Sequence, residues 1–324
     1  MPTLPKKARA LLQKARATLY NFPQTPVGHK LKKQLATKEA LEQLEELIGK
    51  EAEGLQRAYA ISHPSHPSPP SQYPKQESPL VTDEEHARAL IEEKIKPALQ
   101  EVLHPATKAK EPRIFLQRGD NSIRDHLIAT ASPTQLILSG ASVLYQLLVQ
   151  RSPVGALKSL AYDLAFQEAM ARMRSFIAQY DKLTNTITCK AIPEEVFLFC
   201  MTHEYVHFYQ AHHSFDTPRI GLSKLLSEGH AEASADAALR WLEEQGKLDD
   251  REAKIRRDYT FNHLMKTYEH LCAKTGRKSF TGITFDKPPT VYDDGFTLFR
   301  LAEEKNGKDV YARMLIGDVA ALKI

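Results

Sequence analysis

His203 and His207 stand four residues apart in the stretch FCMTHEYVHFYQAHH, residues 199–213, and that spacing constrains the fold more than any other feature. On an α-helix, positions four apart lie about 40° from each other around the axis, so both imidazoles leave one face a turn apart. Two rings stacked in this way can hold one tetrahedral zinc ion from one side, and a further ligand must then come from another element. A fold that uses the motif therefore needs this helix and a segment that returns to it. Glu204 borders the same face, where a carboxylate can take a proton from a metal-acidified water. The bland alternative is an amphipathic helix with ordinary surface histidines.

Two residue types compete for the third position. His213 would complete an HExxHxxGxxH pattern, but Gln210 stands where that pattern has a glycine to turn the chain back toward the metal. On a continued helix His213 lies about 120° round the axis from His207 and faces elsewhere. His212 and His213 read instead as a polar last turn, where a cation suits the helix dipole. Glu228 is the other candidate, in LLSEGHAEASADAALRWL, with SFDTPRIG available as the turn before it. Glu228, Glu232 and Asp236 recur every four residues and line one helix face. Three carboxylates on an Ala- and Leu-rich helix are costly unless a cation lies opposite. Glu228 is the preferred ligand, with Glu232 behind it accepting a ligand-histidine N–H. The shifted register, Glu232 as ligand and Asp236 behind it, stays open, as does a solvated acidic stripe. Gly229 is expected to let the two metal-bearing helices approach closely, and His230 to point away.

The rest of the chain reads around that core. Residues 4–20 have the spacing of a basic amphipathic helix, and 37–60 that of a second helix opening near Thr37, with Leu41, Leu44 and Leu47 on one face. Residues 62–79 hold six prolines and several serines, a composition that cannot build a packed core and reads as an extended linker. This predicts an N-terminal helical segment over 1–61, a Pro-rich linker over 62–80 and a main domain over 81–324. Within the main domain the pattern predicts a helix over 82–103, a strand at 113–117 and helices across 134–180. A strand is predicted at 185–190, then helices from 194 to 212, after Pro193, and over 222–245. The 185–190 strand is placed beside the cleft, able to pair with an extended peptide.

Composition limits the function classes. Hydrophobic residues make up 42% and charged residues 26%, and the formal net charge is +4, too weak to argue for nucleic acid. The three cysteines, Cys189, Cys200 and Cys272, form no CxxC pair and read as reduced thiols. Cys200, one turn before His203, reads as a small buried residue. No secretory signal is visible, and the most apolar segment, 134–150, is too short and polar to span a bilayer. The expectation is a cytoplasmic protein with no membrane span, or one exported by a specialised secretion system.

HEYVH followed by a helix beginning Ser-Glu-Gly-x-Ala-Glu resembles the gluzincin group of zinc metallopeptidases, to which thermolysin and the large aminopeptidases belong. The resemblance covers about 185–320, with specific motifs at 203–207 and 228–232. It implies Zn2+ held by His203, His207 and Glu228, with Glu204 as general base acting on a protein or peptide substrate. A third block, VYDDGFTLFRLAEEKNGKDVYARML, is similar to the C-terminal helix of small gluzincin-like domains through Tyr292, Gly295, Phe299 and Gly307. It implies Tyr292 as oxyanion donor; an ordinary core or capping tyrosine is the bland reading. The implied fold is α+β, mostly helical, with a zincin-like domain and a small sheet edging its cleft. No GxMEN-like amine anchor is present, which favours an endopeptidase. The alternative class is a zinc-containing binding protein on the same scaffold.

Overall fold

The computed structural model describes residues 30–31, 33–62, 79–105, 109–117, 177–182, 184–213, 215, 224–280, 285 and 288–324. The predicted helix at 4–20, most of the 62–80 linker, the 134–176 part of the predicted helices and the turn before 224 lie outside them. The described chain is mostly helical with a small sheet. Its helices are α1 (Lys38–Ser62), α2 (Glu84–Leu90), α3 (Lys96–Leu103), α4 (Glu194–His212), α5 (Lys224–Glu244), α6 (Asp250–Thr275), α7 (Val291–Asn306) and α8 (Val310–Leu315). A π-helical turn, Ile91–Ile95, joins α2 to α3. Among the described residues, no helix is long and apolar enough to cross a membrane.

The chain divides into two units. One takes Met1–Pro69, Leu99–Pro105 and Tyr209–Ile324; the other takes Pro70–Ala98 and Ala106–Phe208. The division falls inside the unbroken helix α4, and it differs from the one predicted from the linker. The physical reason is α1. Its Leu41, Leu44, Leu47 and Ile48 are buried, each leucine worth about 2 kcal/mol of burial. Its Glu45 accepts from Tyr268 and Arg277 on and just beyond α6, and its Glu51 pairs with Arg300 of α7. Residues 38–54 thus belong to the core of the C-terminal helices.

The second unit holds the sheet, in the order β1 (Arg113–Gln117), β3 (Thr186–Lys190), β2 (Ala178–Asp181). β1 runs parallel to β3, and β2 antiparallel to it. The predicted strand at 185–190 is therefore the central strand, hydrogen-bonded on both sides, and cannot take a peptide by edge addition as expected. Ala178–Asp181, which overlaps the end of the stretch predicted helical, is a strand because its partner is β3; four residues are too few to show a period of their own. α4 follows from Pro193, whose carbonyl accepts from Val196 and Phe197, with Glu194 and Glu195 in the first turn suiting the dipole. Nearly every residue from Phe197 to Gln210 is buried, on all sides of the helix. That is an interior helix, not the amphipathic surface helix of the bland reading.

In the first unit α5 crosses α7 at a pair of glycines. A Cβ on Gly229 would lie 2.5 Å from the Gly295 backbone, and one on Gly295 would lie 2.4 Å from the Leu225 carbonyl oxygen. Gly229 thus serves the α5–α7 crossing, which corrects its predicted role between the two metal-bearing helices. Further along α5, Asp236 is fully buried and takes Arg256 Nη1 at 3.0 Å, Arg240 Nε at 3.1 Å, Arg300 and the Thr260 hydroxyl at 2.6 Å. Glu303 accepts from Arg240 and from the Tyr311 hydroxyl, and Glu243 from Arg256 and Arg257. Burial alone would raise the Asp236 carboxyl, but Arg300, Arg240 and Arg256 hold it well below the usual range. Glu303 is likewise held down against burial, by Arg240 and Arg300.

Replacing Gly229 with alanine forces backbone against backbone and is expected to cost about 1–3 kcal/mol or more in urea denaturation. Asp236→Asn is expected to cost about 3–5 kcal/mol, because it breaks a buried ion cluster while leaving three arginines in place. Both depressed carboxyls favour the ionised native state. Their contribution is complete above the unfolded values near pH 4 and lost as pH falls through the folded ones. Denaturation curves from pH 7 to pH 2 should show this loss in the wild type, and a smaller loss in Asp236→Asn.

Candidate metal centre

α4 brings His203 and His207 to one spot. Their Nε2 atoms are 3.0 Å apart, and the rings meet edge to face with centroids 4.6 Å apart. One ligand atom from each, together with a carboxylate oxygen of Glu228 on α5, forms a group whose members all lie within 4.8 Å of one another. Among the described residues it is the one group of His, Cys, Asp or Glu that converges in this way. His203 is buried; His207 and Glu228 are half-buried. A tetrahedral zinc with N ligands at about 2.0–2.1 Å would set two nitrogens about 3.3 Å apart, close to the separation of the two imidazole nitrogens, and a carboxylate oxygen is a donor type that ion accepts. The same 3.0 Å also suits an N–H···N hydrogen bond when one ring carries the proton.

Glu204 points from the same helix to the sheet. Its Oε2 accepts the Tyr180 backbone N–H at 2.6 Å, and the residue is only 9% exposed. The register explains the donor. Lys190 N–H donates to the Ile177 carbonyl, so Gln179 and Asp181 turn their amides to β3 and Tyr180 turns its own outward. A charge-assisted bond of this kind fixes the carboxylate's orientation. Tyr180 also packs edge-on against Phe208 of α4, at 5.9 Å. Behind the site, Cys189 of β3 is pushed up to about 12, first by burial and then by the nearby Glu204 charge, so its thiol stays protonated. Cys200, predicted buried, is half-buried.

The other candidates go elsewhere. His213 bonds back to its own helix, with Nδ1 2.8 Å from the Tyr209 carbonyl, and is outside the converging group. Glu232 is buried and accepts from the Tyr259 hydroxyl at 3.0 Å. Asp236 sits among arginines, so the shifted register loses its outer member. His230 is fully buried and bonds Gln210 and the Tyr311 carbonyl. Tyr292, on the first turn of α7, is half-buried and carries the Lys224 ammonium 5.6 Å above its ring; Lys224 lies one turn before Glu228.

Several contacts at and beside the site have little or no signature in the sequence. The outward amide of Tyr180 has no side-chain signature at all. Tyr259 meets His263 edge to face at 4.3 Å, and His263 Nδ1 lies 2.6 Å from Asp293. Burial works against the Asp293 charge, but His263 and the Thr290 amide bring that carboxyl down to about 2. The signal for these was a repeat of polar residues one turn apart on a long helix, Tyr259 and His263. Gln210 marks a missing glycine in the motif, and an amide in an apolar helix also asks for partners. Comparisons with protein-family models, with curated proteins and with solved structures find no match to this chain.

Proposed function

We propose that the chain is a zinc-dependent peptidase, with His203, His207 and Glu228 holding the ion and Glu204 acting as general base. The observation that carries this reading is the convergence of two imidazole Nε2 atoms and one carboxylate, with a second carboxylate adjacent in sequence on the same helix. Three protein donors leave a position for water or substrate, as catalytic sites do and closed structural sites do not. A zinc ion bound there supplies Lewis acidity, making a water acidic near neutral pH and polarising a carbonyl.

The chain's own residues do the rest. Glu204 takes the proton of the attacking water and returns it to the leaving amine. The Tyr180 amide holds one of its oxygens, leaving the other for the proton. Because the buried His203 and half-buried His207 share a helix with Glu204, the base and the two histidine ligands keep a fixed relation through the cycle. Tyr292 is assigned as donor to the developing oxyanion. The substrate class is a protein or peptide.

Glu204→Gln keeps the shape and the Tyr180 contact while removing the base. Against fluorogenic casein and a peptide library read by mass spectrometry, it is expected to lower turnover by about 10²–10⁴-fold with zinc content unchanged. Turnover at the wild-type rate in this variant contradicts the reading.

A further inference from the structure

Gln210 lies one turn beyond His207 on α4 and is 5% exposed. Its Nε2 donates to the Ser227 carbonyl at 3.0 Å and lies 3.0 Å from His230 Nδ1, while its Oε1 accepts from the Ser227 hydroxyl at 3.2 Å. An amide nitrogen can only donate, so His230 Nδ1 is the acceptor. Its Nε2 then carries the proton and donates to the Tyr311 carbonyl at 3.0 Å. The His230 ring is further fixed between Phe215 and Phe299, at 5.0 and 5.4 Å.

These bonds grip α5 on either side of Glu228, at the residue before it and two residues after it. A methionine of similar volume could fill the same space, but apolar packing is non-directional and tolerates rotation or sliding of one helix on another. Burying an amide is costly unless its groups are bonded, and bonds in three directions admit one register. A slip of α5 by one residue would turn it by about 100° and carry Glu228 away from the site. Gln210 and the two histidines stand on the same unbroken helix, Gln210 one turn beyond His207.

We propose that Gln210 is a positioning residue for the metal centre, its amide setting the register of the Glu228 helix against the histidine helix. This rests on the zinc site proposed above. The test uses the full chain, with zinc affinity measured by chelator competition and the cobalt(II) absorption spectrum as a probe of coordination geometry. Gln210→Met is expected to weaken zinc binding by about 10–100-fold and to shift the cobalt bands. Ser227→Ala, a milder change, removes one hydroxyl bond and is expected to move both readouts in the same direction by less. Leu44→Ala on α1 lowers stability from elsewhere and should leave both unchanged. Wild-type affinity and spectrum in both Gln210→Met and Ser227→Ala, or an equal loss in Leu44→Ala, would overturn the proposal while leaving the zinc reading intact. A wild-type chain that binds neither ion would overturn the zinc reading and this proposal together.

Discussion

Burial of α4 on all sides is the constraint from which the site follows. A helix inside a core turns few polar groups to water, so each buried one on it needs a partner within the protein. Thr202 bonds back to the Leu198 carbonyl, Glu204 takes an edge-strand amide, and Gln210 reaches α5. The two histidines turn their Nε2 atoms toward each other and share their surroundings with Glu228. A metal bound at that spot would satisfy three polar side chains at once. Surface histidines would carry no such requirement, and their spacing would mean little.

The acidic face of α5 has three separate roles within a few turns. Glu228 joins the histidines, Glu232 takes a tyrosine hydroxyl, and Asp236 neutralises arginines from its own helix, α6 and α7. The gradient runs from half-buried to fully buried, and the partners change from imidazole to guanidinium along it. The fully buried end carries the greater cost if a partner is lost. Gly229 and Gly295 bring α5 and α7 together between these ends, which requires small residues because backbone meets backbone there.

Much of this was legible in the chain. Pro193, the two glutamates after it and the apolar run that follows predict a helix over 194–212, and α4 spans Glu194–His212. The four-residue repeat of carboxylates marks α5, and Thr37 marks the start of α1, where its hydroxyl accepts from Ala40. What stayed hidden depends on pairing across long sequence separations. β2 exists because β3 lies beside it, and β3 is central because β1 pairs on its other side. A proline-rich composition marks a break in packing locally, but it cannot say that α1 packs on α6 beyond it. Gly229 shows that something comes close, without showing what.

His203, His207 and Glu228 are proposed to form one metal site. The most direct test is zinc content by mass spectrometry on the purified chain beside Glu228→Ala and His213→Ala. Stoichiometric zinc is expected in the wild type and in His213→Ala, and its loss in Glu228→Ala. Zinc retained without Glu228 but lost without His213, or no zinc in the reconstituted wild type, would contradict it.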